Sequence, residues 1–288
     1  MKPASFDYHA PATVEEAVAL LDAKGPDSRL LAGGQTLIPM MNFRLAAPAV
    51  VVDLNRIPEL AYIKAEGDVV CIGAMTRQRS IEFSTLVAEK LPLLHQAIKL
   101  VGHLPTRTRG TIGGSIANAD PAAEIPMVLQ ALDGEVVVRG PNGARTIAAS
   151  DLFRDAMTTS LTPGEILTEV RLSAMPAGTG CAIEEFARRH GDFAIAAIAV
   201  AIRRNGEGCA QARIATAGIS AHSHRLRGAE TFLEQEGLGD AAIARAAEMA
   251  ASEVKPLSDQ HASAEYRRQL TQVLTERAVR RAAAAAAA

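Results

Sequence analysis

Two pairs of adjacent glycines in the first half of the chain constrain its fold and its function more than any other feature. The first pair is Gly33-Gly34, and the second is Gly113-Gly114. Glycine has no Cβ, so its backbone can approach a ligand closely and can adopt positive φ. Backbone amides that are exposed in such a turn, beside the start of a helix, attract phosphate oxygens. The two loops together predict a site that grips the diphosphate of one dinucleotide from both sides.

The composition is that of a globular protein without an obvious polyanionic or membrane partner. The 288 residues are 48% hydrophobic and 22% charged, and a chain of this length predicts about two domains. Its 30 Lys and Arg against 32 Asp and Glu leave a net charge of −2, which gives no support to nucleic acid or an anionic membrane as partner. No run approaches the roughly 20 apolar residues of a membrane span, and the N-terminus lacks an apolar signal core. We therefore expect a cytoplasmic protein.

Cysteine and histidine usage predicts neither a metal centre nor a catalytic side chain in this chain. Cys71, Cys181 and Cys209 are isolated and form no C-x-x-C pair, so no iron–sulfur cluster is expected here. The segment 222–224 is the only His cluster, and it has no third ligand at metal-site spacing, so we interpret it as a solvent-exposed loop. No Ser–His–acid arrangement and no G-x-S-x-G motif occurs.

Hydrophobic periodicity and turn signals predict an α+β chain. A capping box at Thr13 predicts a helix that ends near Gly25, followed by a strand over 29–32, the first glycine pair, a helix over 36–45 and a strand over 50–54. A larger module, from about 58 to 175, is predicted to hold helices over 91–101 and 121–132 and strands over 69–73, 135–139, 144–147 and 166–172. After a Pro- and Gly-rich boundary, strands over 181–188, 193–203 and 209–217 precede helical segments from 226 onward.

The first glycine loop leaves two interpretations open, a phosphate site or a tight turn without a ligand. It is not a G-x-G-x-x-G fingerprint, because the third glycine is missing, and it is not a phosphate loop with a following Lys. Asp53 lies 20 residues after Gly33, where a ribose-binding acid would stand. We interpret Asp53 instead as a strand-end or capping group.

The second loop carries more polar groups than a structural turn needs. Its cationic and hydroxyl donors, followed by two residues with sugar- or ring-binding potential, are Arg107, Arg109, Thr111, Ser115, Asn118 and Asp120. The alternative for the arginines is pairing with surface carboxylates. Glu124 is interpreted as an acid at a helix N-terminus, which favours the helix dipole. Phe193 could contact the face of a cofactor ring or could start a core strand, and both interpretations stay open.

The order of these motifs resembles that of the FAD-binding medium subunits of molybdenum hydroxylases. That family includes the flavoprotein subunits of carbon monoxide dehydrogenase, quinoline oxidoreductase and the nicotine or caffeine dehydrogenases, and it is similar to the flavin domain of xanthine dehydrogenase. The resemblance covers nearly the whole chain and rests on the runs 32–39, 52–54, 72–74, 109–121 and 191–193.

The resemblance implies an α+β fold of two FAD-binding subdomains and a C-terminal domain. Residues 1–57 would form a small βαβ unit, residues 58–176 a mixed or antiparallel sheet, and residues 177–288 a three-stranded antiparallel sheet with helices. It implies that Asn118 and Asp120 lie near the ribityl and adenosine parts of FAD and Leu161 near the ring, and Phe193 matches a site where relatives carry an aromatic residue. The implied diphosphate contacts are Ala32, Gly33, Gly34, Gln35, Thr36, Thr111, Ile112, Gly113, Gly114 and Ser115, and Leu37 is a further expected cofactor contact.

One departure concerns Glu184-Glu185, because several relatives have Lys shortly before the Arg-rich turn that follows. We therefore assign no cationic partner for the flavin at that position.

The family also implies a role in electron transfer. The chain would bind FAD noncovalently and pass electrons to an external acceptor from [2Fe–2S] clusters of a small partner subunit. Molybdopterin and the substrate chemistry would belong to a large subunit, in a dimer of heterotrimers. Two alternatives remain open at this point, a free-standing FAD-dependent oxidase or dehydrogenase and a noncatalytic scaffold subunit with empty loops.

Overall fold

The computed structural model describes residues 2–206 and 208–286. The first unit is a parallel sheet with strand order β1-β3-β2, in which Val50 to Val52 of the central strand are buried. The predicted cap is present, since the Thr13 hydroxyl accepts a hydrogen bond from the Glu16 amide at 3.2 Å. The elements are β1 (Asp7–His9), α1 (Val14–Lys24), β2 (Ser28–Leu31), α2 (Leu37–Asn42) and β3 (Val50–Asp53).

Helix α2 is shorter than the predicted helix over 36–45. It ends at Asn42, and Arg44 then adopts a left-handed φ of +58°, which a helix cannot contain. Phe43 and Leu45, which follow the end of α2, are exposed.

The second unit is built on a five-stranded antiparallel sheet with strand order β4-β5-β10-β6-β7. The predicted hairpin at residues 140–143 joins β6 to β7. A separate short hairpin pairs β8 with β9. The strands are β4 (Ile63–Glu66), β5 (Val69–Gly73), β6 (Glu135–Gly140), β7 (Gly143–Ala148), β8 (Phe153–Asp155), β9 (Thr158–Thr159) and β10 (Ile166–Ser173).

The helices of this unit are shorter and more numerous than predicted. The single helix expected over 91–101 is wrong in extent, because it spans only Pro92–Ala97; Gly102 then adopts φ +48°, and a new helix that carries the arginines begins at Leu104 with Pro105 in its first turn. The second glycine pair lies inside a helix rather than in a loop. The helices are α3 (Gln78–Glu82), α4 (Thr85–Lys90), α5 (Pro92–Ala97), α6 (Leu104–Arg109), α7 (Ile112–Asn118), α8 (Glu124–Ala131) and α9 (Ala149–Leu152).

The C-terminal unit is an antiparallel sheet with helices, as predicted, but it gains a short fourth strand. That strand contains His224, so the segment 222–224 is partly buried in the sheet and is not the exposed loop that we expected. Strand order is β11-β12-β13-β14. The elements are β11 (Thr179–Phe186), β12 (Ala196–Asn205), β13 (Gly208–Ala217), β14 (His224–Arg225), α10 (Arg227–Glu236), α11 (Asp240–Glu253) and α12 (Ala264–Ala285).

The C-terminal sheet is covered on both faces. One face, including Ile198 and Val200, packs against α10–α12, and the other, including Ile183 and Ala199, joins the core of the second unit. Strand β12 is buried from Ala196 to Ile202, as a strand with two covered faces must be. The second and third units therefore share one hydrophobic core. No helix among the described residues is both long enough and apolar enough to cross a membrane.

Candidate flavin site

The first glycine loop, residues 32–37, lies in direct backbone contact with residues 109–115, which lead into α7, carry the second glycine pair and are called the second loop below. A Cβ built on Gly33 would overlap the carbonyl oxygen of Arg109 and would lie 2.7 Å from the Cα of Gly110. A Cβ built on Gly114 would lie 3.3 Å from the Cβ of Ala32. Here the absence of a side chain permits one loop to approach the other, in addition to any approach of a ligand.

The first loop presents a run of backbone amides that face no protein acceptor. Gly34 has φ +71°, which turns the chain between β2 and α2. The Thr36 side chain stands at the start of α2 but makes no capping hydrogen bond. Within residues 2–206 and 208–286, none of the backbone amides of residues 33–37 donates a hydrogen bond to the protein. Five adjacent donors are thus available to a bound anion.

The second loop differs from the bare backbone that the sequence suggested. Its amides are already bonded, because α7 packs against the segment after β5 and is capped by its own Thr111. The side chain of Ser115 is partly exposed and remains a donor. The bonds are Ile112 to the Thr76 carbonyl (3.1 Å), Gly113 to the Ala74 carbonyl (2.9 Å), Gly114 to the Thr111 hydroxyl (3.1 Å) and Ser115 to the Thr111 carbonyl (3.1 Å).

Replacing Thr111 with Val should lower the free energy of unfolding by about 1–2 kcal/mol, because the half-buried Gly114 amide would lose its hydrogen-bond acceptor. Thr111 is 1% exposed, so the isosteric Val fits without a cavity. Urea unfolding of the flavin-free chain measures the change. Thr231→Val, at an exposed position of α10, is the matched control, and equal losses in both variants would contradict the capping role.

The two arginines of α6 differ in burial and in their partners. Arg107 is buried and donates to Glu82 at 3.0 Å and to the Val101 and Gly102 carbonyls, so it is structural and not a ligand donor. Burial opposes the charge on Glu82, but the bonds from Arg107 and Arg79 hold the pKa of Glu82 below its ordinary value. The interpretation of Arg107 as a carboxylate partner is confirmed, whereas the Arg109 side chain is exposed.

The C-terminal end of α7 lies beside the segment that carries Leu161. The Asn118 Nδ2 atom is 3.7 Å from the sulfur of Met157, and the Ala119 carbonyl accepts a hydrogen bond from the Met157 amide at 3.1 Å. The Leu161 amide donates to the Thr159 hydroxyl, and its partly buried side chain packs against the core of the second unit. Asn118 and Leu161 are thus on neighbouring segments.

A second set of contacts joins the Asp120 turn to the third unit. The Pro121 carbonyl accepts a hydrogen bond from the Gly218 amide at 2.7 Å, and a Cβ on Gly218 would lie 2.5 Å from the Ala194 carbonyl. Phe193 precedes Ala194 and lies outside β12, with 61% of its surface exposed. The core-strand interpretation of Phe193 is therefore wrong, and an aromatic face is exposed at the junction that also holds Asp120. Burial raises the pKa of Asp120.

Two carboxyl groups of this junction, those of Glu124 and Glu185, are close enough to interact electrostatically, and their burial was not predicted from the sequence. Glu124 begins α8, as predicted, but it is only 4% exposed. Burial, with the charges of Glu185 and Asp120, raises the pKa of Glu124 to about 8. Burial raises the pKa of Glu185 on β11 to about 7, and its Oε2 atom has no hydrogen-bond partner among the described residues. Within residues 2–206 and 208–286, no group of three or more His, Cys, Asp or Glu is placed to hold a metal ion.

Comparison with known families assigns both parts of this architecture. The family described as the FAD binding domain in molybdopterin dehydrogenase matches residues 4–174. The family described as the CO dehydrogenase flavoprotein C-terminal domain matches residues 182–282. The chain belongs to the FAD-binding medium subunits of molybdenum hydroxylases.

Similar proteins and structures span this medium subunit almost end to end. The carbon monoxide dehydrogenase medium chain of Afipia carboxidovorans is 41% identical over 99% of each chain. The 6-hydroxypseudooxynicotine dehydrogenase complex subunit alpha of Paenarthrobacter nicotinovorans is 40% identical over 98% of this chain and 96% of its own length. Carbon monoxide dehydrogenase from Hydrogenophaga pseudoflava superposes with a TM-score of 0.97, at 40% identity over 99% of both chains. Quinoline 2-oxidoreductase from Pseudomonas putida 86 gives 0.95, at 35% identity over 99% of both chains.

These comparisons confirm the family, the α+β fold and the role as an oxidoreductase flavoprotein subunit that the motifs indicated. The relatives are named as chains of dehydrogenase complexes, so the medium subunit belongs to a class of multi-subunit enzymes.

Proposed function

We propose that this medium subunit holds one FAD noncovalently between its two glycine loops, with the diphosphate against the free amides of residues 33–37. The donor set supports this placement, since the five amides and the hydroxyl of Ser115 supply neutral donors for phosphate oxygens. The proposed contacts are Ala32, Gly33, Gly34, Gln35, Thr36, Leu37, Thr111, Ile112, Gly113, Gly114, Ser115, Asn118, Asp120, Leu161 and Phe193. In the second loop, contact would come through the Ser115 hydroxyl and the surface of Gly114, because the amides of residues 112–115 are already bonded and Thr111, Ile112 and Gly113 are buried.

The ring end of the cofactor would lie at the junction of the second and third units. Leu161 offers an aliphatic contact, Phe193 an exposed aromatic face, and Asn118 an amide group near Met157. FAD supplies the redox chemistry when it is bound. The residues of this chain bind it, orient it and limit its contact with water. We assign no catalytic side chain.

We further propose the arrangement of the complex. Electrons would reach this chain from [2Fe–2S] clusters of a small subunit, with molybdopterin in a large subunit, and would leave to an external acceptor. The assembly would be a cytoplasmic dimer of heterotrimers, and the chain would divide into units 1–57, 58–176 and 177–288. The relatives' names as medium chains and complex subunits support this proposal.

Reconstitution with FAD tests the proposed function. Flavin-free protein should take up one FAD per chain with flavin absorbance, and at 100 times Kd the ligand should stabilise the fold by about 2.7 kcal/mol. Calorimetry and absorbance measure both effects. Unchanged melting with and without FAD would favour the scaffold alternative, and oxidation of a small substrate by the isolated chain would favour the free-standing enzyme.

A further inference from the structure

Arg77 lies where the two glycine loops meet, between β5 and α3. Its backbone forms an antiparallel bridge with Thr111. Its guanidinium group donates one hydrogen bond to the carbonyl of Arg109, at the start of the second loop, and another to the Asn55 Oδ1 atom at 2.5 Å. The fork of this single side chain therefore links the second loop to the segment that follows β3.

Asn55 carries the link on to the first loop. Its Nδ2 atom donates to the Ala32 carbonyl at 2.9 Å. Asp53 holds Asn55 in place by accepting from the Asn55 amide at 2.9 Å, and Asp53 itself accepts from the Tyr8 hydroxyl at 2.6 Å. A continuous chain of hydrogen bonds thus runs from β1 to both loops. Asp53 is a strand-end group with both carboxylate oxygens engaged, which confirms its interpretation from the sequence.

These two carbonyl oxygens control where the neighbouring amides point. The peptide unit is planar and trans, so its C=O and N–H point in opposite directions. The bond from Asn55 to the Ala32 carbonyl therefore fixes the direction of the Gly33 amide, the first of the five free donors. The bond from Arg77 to the Arg109 carbonyl fixes the peptide unit against which Gly33 packs.

We propose that Arg77, acting through Asn55, is a positioning residue that pre-organises the two loops for the FAD diphosphate. The inference rests on the proposed FAD site and adds the groups that hold its two halves in register. Fixing the two loops before FAD arrives removes the entropic cost of ordering them from the binding free energy. The clamp formed by the Arg77 and Asn55 side chains therefore increases affinity without touching the cofactor. Arg77 is partly buried and Asn55 is exposed, so neither belongs to the hydrophobic core.

The test measures FAD affinity of the full chain by quenching of flavin fluorescence. We expect Arg77→Ala to weaken FAD binding about 10- to 100-fold, because a charge-assisted bridge between the loops is lost. Arg77→Lys should recover only part of the loss, since an ammonium group keeps the charge but cannot reproduce the fork. Arg79→Ala is the matched control. Arg79 lies over the Phe83 ring and pairs with Glu82, so its loss removes a nearby arginine without removing a hydrogen bond to either loop.

Two further measurements separate positioning from general stability. Low millimolar guanidinium should restore the affinity of Arg77→Ala and should leave that of wild type and Arg79→Ala unchanged. The losses from Arg77→Ala and Asn55→Ala should not add in the double variant, because both break one chain of bonds. Wild-type affinity in Arg77→Ala or in Arg77→Lys, or failure of guanidinium rescue, would overturn the clamp while the FAD site stands. A wild-type chain that binds no FAD would overturn both.

Discussion

Replacing Gly33 with Ala should weaken FAD binding by at least about 100-fold, or about 3 kcal/mol. The added methyl group would overlap the Arg109 carbonyl and would lie 2.7 Å from the Gly110 Cα, which are backbone atoms that no rotamer change can move. The loops must separate, and the amides of residues 33–37 then leave the positions from which they can converge on one diphosphate. Displacements of about an ångström are costly in a pre-organised site.

Fluorescence titration and circular dichroism of the flavin-free variant measure affinity and folding separately. Gly239→Ala is the matched control, because its φ is −69° and a Cβ there meets no heavy atom within 4 Å. Retention of wild-type affinity in a folded Gly33→Ala chain would mean that the loops need not touch for FAD to bind.

Structural features that depend on a few adjacent residues could be predicted from the sequence. The Thr13 cap, the termination of α1 at Gly25, the strand before the first glycine pair and the hairpin at residues 140–143 each follow from a few adjacent residues. The first loop was predicted for the same reason, since a strand, two glycines and a helix start are contiguous. The residue-level FAD contacts stay a prediction.

The hydrogen bonding of the amides in the second loop could not be predicted from the sequence, because their acceptors are distant in the chain. The carbonyls of Ala74 and Thr76 take the amides of Ile112 and Gly113, and only the tertiary fold brings those segments together. The extent of α5 was misjudged for another reason. The apolar period continues to Val101, but α5 ends at Ala97, and the left-handed Gly102 separates it from α6, which has Pro105 in its first turn.

The burial of Glu124 on α8 depends on the C-terminal sheet, which includes β11 with Glu185 and is still more distant in the chain. This burial predicts a large effect of substitution on stability. Glu124→Gln should raise the free energy of unfolding of the flavin-free chain at pH 8 by about 2–4 kcal/mol. Burial raises the pKa of this carboxyl from 4.5 to about 8 in the folded state, so the unfolded chain releases the proton first as pH rises. Wild type therefore loses stability between about pH 4.5 and 8, and the loss is complete above the folded-state pKa. An uncharged Gln of nearly the same shape avoids it.

The pH dependence distinguishes this electrostatic effect from a change in packing. At pH 5, only half a unit above the unfolded-state pKa of 4.5, wild type has lost little of this stability, so the gain from Glu124→Gln should fall below about 1 kcal/mol. Urea unfolding from pH 5 to pH 9 measures the difference, with Glu236→Gln at the exposed end of α10 as the control. A gain independent of pH, or a less stable variant at pH 8, would show that Glu124 is ionised in the folded chain. In that case the negative charge of Glu124, next to Glu185, would have to be balanced by another group at the junction where the flavin ring is proposed to bind.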